Sequence, residues 1–197
     1  VDFLAIKCNF EDEKSTLRIF KRISNAGFNV DLLINNASAF EYDSIKCSSH
    51  KIFNKHIDVN LKTPFFLIQK FLEYLNKKGI VINIIDQRVK NITPYFTSYT
   101  LSKVGLYALT KSLSVSLAPN VRVNGISPGP TLKSKNQTEK QFKKQILRTP
   151  LKKQVDVNEI CNAVDFFIKN SSITGQVLAI DSGQNLNWQT PDVIGKE

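Results

Sequence analysis

Tyr99 and Lys103 stand four residues apart in an apolar helical pattern, Tyr-Thr-Leu-Ser-Lys. Residues at i and i+4 share one face of a helix, so this spacing sets a phenol beside an ammonium. A free tyrosine keeps its proton to about pH 10, and a lysine one turn away favours the phenolate. The spacing therefore predicts a tyrosine moved toward proton transfer near neutrality, a candidate general acid. The same spacing also arises as a half-buried ring next to a solvated charge, so its meaning depends on what surrounds it.

The surrounding chain alternates strand and helix patterns with no linker and no internal repeat, which predicts a parallel sheet covered on both faces. Strands are expected at residues 3–7, 31–35, 80–85, 121–127 and 177–181. Helices are expected at 11–26, stopped by Gly27, and at 49–77, bent near Pro64 and stopped by Gly79. Tyr99 and Lys103 lie on a helix whose apolar positions run through Leu106, Leu109, Leu113 and Leu117 to Pro119. After Pro128-Gly129-Pro130, residues 131–154 are polar and lysine-rich, either a mobile lid or a solvated helix pair, and 156–169 form a last amphipathic helix. In open parallel sheets ligands bind beyond the carboxyl ends of the strands. Four strands deliver distinctive residues to that edge: Asn35-Asn36-Ala37-Ser38, Asp86, Pro128-Gly129 and Asp181-Ser182-Gly183.

Composition narrows the classes. The 197 residues fit one domain, and 42% hydrophobic residues supply a sizeable core. No stretch approaches the roughly 20 apolar residues of a membrane helix. The amino end lacks a signal-peptide pattern, so no membrane partner and a cytoplasmic location are expected. Cys8, Cys47 and Cys161 are odd in number and scattered, suggesting neither disulfides nor a metal site. The net charge of +10 would suit an anionic partner. The lysines nevertheless form no aromatic-interleaved basic stripe, so a small-molecule partner is expected and nucleic acid is not.

Together these residues resemble the short-chain dehydrogenase/reductase family over essentially the whole length. Asn35-Asn36-Ala37 is similar to the family's Asn-Asn-Ala-Gly turn, Asn60 in Val-Asn-Leu to its catalytic asparagine, and Tyr99-x3-Lys103 to its central pair. Pro128-Gly129 falls at the loop placed against the nicotinamide, and Thr174-Gly175-Gln176 with Asp181-Ser182-Gly183 resembles the usual carboxyl-terminal motif. The resemblance implies a Rossmann-like doubly wound α/β sheet. Lys103 would hold the nicotinamide ribose, and Asn60 would keep a water that relays protons to Lys103. The helices around 49–77 and 97–117 resemble those of family tetramers, implying a homo-oligomer, a tetramer or a dimer.

One departure is sharper than the matches. Family members carry a serine thirteen residues before the tyrosine, and here that position is Asp86. A carboxylate accepts hydrogen bonds and would repel the oxyanion that forms when hydride reaches a ketone. It suits a substrate protonated at ring nitrogen, with Asp86, Tyr99 and a water as a relay. The pteridine reductases, the branch that reduces pterins and folates, show the same replacement. Ser38 and Phe40 also fit that branch, in which the phenylalanine stacks on the pterin, and Thr131 falls where it has a serine near cofactor and substrate. The expected reaction is reduction of a pterin or dihydrofolate-like ring by NADP(H). A carbonyl or alcohol substrate, or an inactive fragment, are the alternatives.

No glycine-rich strand-turn-helix that would bind the cofactor pyrophosphate precedes the first strand, and the chain contains no methionine. Residues 3–7 followed by Asn9 resemble the family's third strand and the turn beside the adenine. The expectation is an N-terminally truncated domain, missing the first βαβ unit and exposing the apolar edge of residues 31–35. Such a chain alone would bind cofactor poorly or not at all. The preference for NADP over NAD(H) is implied only by the branch.

Overall fold

The computed structural model describes residues 3–187. Four strands, β1 (Leu32–Asn35), β2 (Gly79–Ile84), β3 (Val121–Pro128) and β4 (Val177–Ile180), lie side by side in sequence order, and all three pairings are parallel. Parallel neighbours require crossovers, and helices supply them. These are α1 (Glu13–Asn25), α2 (His50–Ile57), α3 (Thr63–Tyr74), α4 (Thr97–Ser116), α5 (Glu139–Leu147) and α6 (Val157–Lys169). Alternation along β2 and β3 sends Val81, Val121 and Val123 to one face, where they pack with Phe20, Leu67, Ile68 and Phe71. Ile80, Ile82 and Ile126 face the other way, onto Ala163 and Phe167 of α6. The result is the expected Rossmann-like sheet with a core on each face.

The helix expected over 49–77 begins with Ser49 capping Ile52 N–H, as its sequence suggests. It is not continuous α-helix: residues 58–62 form a π-helical turn between α2 and α3, just ahead of Pro64. Pro64 has no N–H to return to the preceding turn, and the wider turn accommodates that loss. Asn60 lies within it. The helix also stops early, at Tyr74, and Gly79 opens β2 instead of ending the helix. A Cβ at Gly79 would sit 2.8 Å from the Phe71 ring, so glycine is needed for packing there.

Two further expectations fail. Residues 3–7 form no strand: no described strand lies beyond the outer edge of β1, and Phe3 is 85% exposed. Residues 131–154 are not a helix pair. They hold one helix, α5, started by a capping box between Thr138 and Gln141 and anchored by the buried Phe142. The last strand ends at Ile180, one residue earlier than expected.

Candidate active site

Helix α4 buries one stripe, Tyr99, Lys103, Leu106, Thr110 and Ser114, against the sheet. A ladder of buried amides fixes its height. Asn35 Nδ2 donates to Asn83 Oδ1 (2.8 Å), and Asn83 Nδ2 donates to Thr110 Oγ (2.9 Å), linking β1, β2 and α4. This places the first turn of α4 beside the carboxyl end of β2.

There Tyr99 Oη donates to Asp86 Oδ2 over 2.8 Å, and Asp86 Oδ1 accepts the Arg88 backbone N–H at 2.8 Å. Burial first, and then the Asp86 carboxylate, push the Tyr99 phenol well above its ordinary value, while Arg88 and Ser38 pull weakly the other way. The expected drift toward neutrality is therefore reversed. Lys103 does not act as the phenol's partner: its Nζ donates to Ile84 O (2.8 Å) and lies 5.8 Å from the Tyr99 ring centroid. Burial lowers Lys103 to about 8, against a smaller upward pull from Asp86. Two of the three ammonium hydrogens have no acceptor among the described residues.

Asn60 is 1% exposed and its amide is fully used. Oδ1 accepts Ala39 N–H (2.7 Å) and Ser38 Oγ (3.2 Å), and Nδ2 donates to Ala39 O and Ser102 Oγ, both at 3.0 Å. The side chain thus clamps the 38–39 turn onto α4 rather than reaching Lys103.

Phe40, Asp86, Tyr99, Gly129 and Phe142 line one cavity of about 510 Å3 at this edge. Phe40 is stacked on Phe96, with centroids 4.6 Å apart and planes 6° from parallel, and stands edge-on to Tyr99 at 4.7 Å. Phe96 adopts φ 57, a left-handed conformation that costs a bulky residue about 1–3 kcal/mol. Its N–H donates to Asp43 O at 2.7 Å, which helps hold it there. The Asp43 carboxylate is wholly buried and caps α4 from outside, accepting Ser98 N–H (3.1 Å), Ser98 Oγ (2.5 Å) and Ser48 Oγ (3.0 Å). Burial would raise this carboxyl, but those hydrogen bonds outweigh it and hold it below the ordinary value. Buried His56 completes the brace. Its Nε2 accepts Glu41 N–H (3.0 Å), so Nδ1 carries the hydrogen and donates to Ser98 Oγ (2.7 Å). Burial lowers the imidazole below its usual value and keeps it neutral.

Other expected residues lie elsewhere. Asn36 and Ala37 open onto a separate groove of about 280 Å3 along the edge of β1, together with Phe10. Asn9 accepts Glu11 N–H (3.1 Å) in the turn before α1. Ser38 reaches Asn60, as above. Pro128 ends β3 opposite Ile180, and Gly129 presses on the next strand end: a Cβ there would lie 2.5 Å from Asp181 Cα. Asp181 is committed to its own turn, accepting Gly183 N–H (3.0 Å) and Asn185 N–H (2.8 Å). Thr131 Oγ donates to Gly129 O (3.2 Å), and the residue lines a surface hollow beside α6 rather than the Tyr99 cavity. Sequence reasoning missed Arg88, Phe96, Phe142, Asp43 and His56. Arg88 alone had a signal, its place two residues after Asp86. No group of three or more His, Cys, Asp or Glu suited to a metal occurs among the described residues, and no described helix is long and apolar enough to cross a membrane.

Known proteins are similar to this chain in sequence and fold. The family described as Enoyl-(Acyl carrier protein) reductase matches residues 1–185. The 3-oxoacyl-[acyl-carrier-protein] reductase of Buchnera aphidicola is 31% identical over 89% of this chain and 75% of its own length. Dihydromonapterin reductase of Citrobacter koseri is 24% identical over 93% and 78%. The crystal structure of FolM alternative dihydrofolate reductase 1 from Brucella canis, complexed with NADP, superimposes with a TM-score of 0.92 at 39% identity, over 96% of this chain and 76% of that one. With the fold, the Tyr99–Lys103 helix and these matches together, the chain belongs to the short-chain dehydrogenase/reductase family of oxidoreductases.

Proposed function

We propose that this protein reduces a dihydropterin or dihydrofolate-like ring with NADPH, and that Asp86 and Tyr99 handle the proton. The observation that carries the reading is the 2.8 Å bond from Tyr99 Oη to the Asp86 carboxylate at the wall of the cavity. The likeness to a dihydromonapterin reductase and to a dihydrofolate reductase complexed with NADP supports the substrate class and the cofactor.

The donor set fits the nicotinamide half of such a cofactor: Lys103 keeps two donors without an acceptor among the described residues for ribose hydroxyls, and Gly129, next to Pro128, lines the cavity. Asn36, Ala37, Ser38, Asn9 and Thr131 are the other cofactor residues proposed by family resemblance. When bound, NADPH supplies the hydride. A ring C=N bond takes that hydride at carbon and a proton at nitrogen. Tyr99, kept protonated by burial and by Asp86, and the Asp86 carboxyl form the path by which the proton reaches nitrogen, and solvent restores it. Phe40 offers an aromatic face to a flat ring beside Tyr99, and its stack on Phe96 fixes that face. Asn60 and the Asp43–Ser98–His56 brace hold these groups in place.

The likeness to a 3-oxoacyl reductase favours a carbonyl substrate as the second reading. Asp86 argues against it, since an oxyanion forming beside that carboxylate would be destabilised. NADPH consumption measured with dihydromonapterin, dihydrofolate and a 3-oxoacyl thioester separates the two. The proposal predicts turnover of the pteridines and little of the thioester; the reverse order overturns it.

A further inference from the structure

His56 is wholly buried on α2, and the proton path to the ring makes no use of it. Its two ring nitrogens have opposite duties. Nε2 accepts the Glu41 N–H at 3.0 Å, and Nδ1–H donates to Ser98 Oγ at 2.7 Å, which passes its own hydrogen to Asp43. One ring thus ties the residue that follows Phe40 to the first turn of α4. The backbone oxygen of Asp43 accepts the Phe96 N–H, so both members of the stacked pair Phe40 and Phe96 hang on this brace.

A second proton on the imidazole acts unequally on its two sides. An imidazolium has two donors and no acceptor. On the Nδ1 side nothing is lost, because Ser98 Oγ still accepts and the Asp43 carboxylate behind it gains a positive partner. On the Nε2 side a new N–H meets the Glu41 N–H, donor against donor, and the Glu41 peptide must turn away. What still ties Glu41 to α2 is its ion pair with Lys55, more than a third exposed on both sides and so weak. Phe96, left-handed at φ 57, pulls against the closed arrangement, which leaves that arrangement a small margin.

The charges that reach His56 come from two segments. Asp43 and Glu41, ahead of α2, favour the imidazolium, and Lys55, its neighbour on α2, opposes it. Asp58 in the next turn lies 3.8 Å from Lys62. Helix α4 presents the uncharged Ser98 and the edge of the protonated Tyr99 ring, centroids 5.8 Å apart, while Lys103 is turned to Ile84 O. Burial outweighs the acids and holds the imidazole below its ordinary value, and Asp43 is held low as well, so His56 takes the first proton in the brace as pH falls.

We propose that His56 is a positioning residue that works as an acid-sensitive latch. Its neutral ring holds residues 40–43 closed, with Phe40 standing in the cavity wall, and a second proton on Nε2 releases them and weakens the binding of a flat ring. The inference rests on the pteridine reading for its ligand and adds a control on that same site.

The chain has two histidines, of which His50 is exposed, so nitrogen-15 NMR of histidine-labelled protein resolves each ring. His56 is expected in the Nδ1–H form at pH 7.5, to titrate below the ordinary imidazole range, and to carry the Glu41 amide signal with it at one midpoint. Calorimetry with dihydromonapterin at saturating NADP should show Kd rising about 3–10-fold from pH 7.5 to pH 5. His56→Gln offers an acceptor and a donor but takes no proton, and its Kd, whatever the value at pH 7.5, should stay level over that range. An Nε2–H form at pH 7.5, a Glu41 amide that ignores the His56 titration, or an equal rise of Kd in His56→Gln would overturn the latch while leaving the pteridine reading standing. Wild-type protein that binds no pteridine at any pH would instead overturn the pteridine reading, and the NMR titration alone would then decide the latch.

Discussion

Tyr99 gives its phenolic hydrogen to Asp86 across 2.8 Å, and the turn that begins at Asp86 returns the Arg88 N–H to the other carboxylate oxygen. The acid and its acceptor are thus fixed relative to each other by one helix and one 3₁₀ turn, before any ligand arrives. Tyr99→Phe removes only the hydroxyl from a ring that is 5% exposed. Reduction is expected to fall about 100- to 10,000-fold with the fold intact. Single-turnover kinetics beside a thermal melt would check this, and a fall in activity that tracked a fall in melting temperature would argue for a structural role alone.

Lys103 gives a prediction on pH. Burial lowers it to about 8 from 10.5, so the folded state holds fewer protons than the unfolded state between those values. Stability therefore rises with pH across that window, and the charged form costs about 3 kcal/mol below pH 8. Lys103→Met should be more stable than wild type at pH 7 by about 1–3 kcal/mol, less the hydrogen bond to Ile84 O, while losing activity. Denaturant unfolding at pH 7 and pH 10 checks the sign: the advantage must shrink at pH 10. For the wild-type enzyme, activity should decline as pH rises through about 8, as the ammonium is lost.

Asn60 has four hydrogen bonds and is expected to be structural as well as functional. Asn60→Ala leaves Ala39 N–H without a partner and Ala39 O with only the longer bond from Ser38 Oγ (3.4 Å), and should cost about 2–4 kcal/mol. Asn60→Asp keeps the acceptor toward Ala39 N–H but loses the donor toward Ala39 O and Ser102, and should not rescue the loss. Equilibrium unfolding of the two variants measures this.

Gly129→Ala must move the backbone, since its Cβ would meet Asp181 Cα at 2.5 Å. Overpacking of this kind costs about 1–3 kcal/mol. A crystal structure of the variant should show the β3 and β4 ends spread apart, with the turn at Asp181 disturbed; an unchanged melting temperature would contradict the close approach.

The sequence was most legible where a periodic pattern met a buried surface. The i, i+4 rule placed Tyr99 and Lys103 on the stripe that continues through Leu106 and Thr110, and the apolar runs of β2 and β3 were read correctly as buried parallel strands, whereas β1 is parallel but leaves Ile34 40% exposed. Residues 3–7 misled because an apolar run says nothing about whether a partner edge exists beside it. The shift of Tyr99 was misjudged because sequence separation ranks Lys103 as its neighbour, whereas in three dimensions burial and Asp86 dominate. Phe96 and the Asp43–Ser98–His56 brace were invisible for the same reason. Their partners come from three segments far apart in the chain, and Phe96 reads as helix until its left-handed φ turns it onto Phe40.

In the proposed reaction Asp86, in place of a serine, fits the Tyr99 site to protonating a ring nitrogen. Asp86→Ser tests it most directly, with steady-state turnover of dihydrofolate or dihydromonapterin and of a ketone measured on the same preparation. Pteridine reduction is expected to fall about 100-fold or more, with ketone reduction unchanged or improved. Pteridine turnover that survives the substitution at wild-type rate would contradict it.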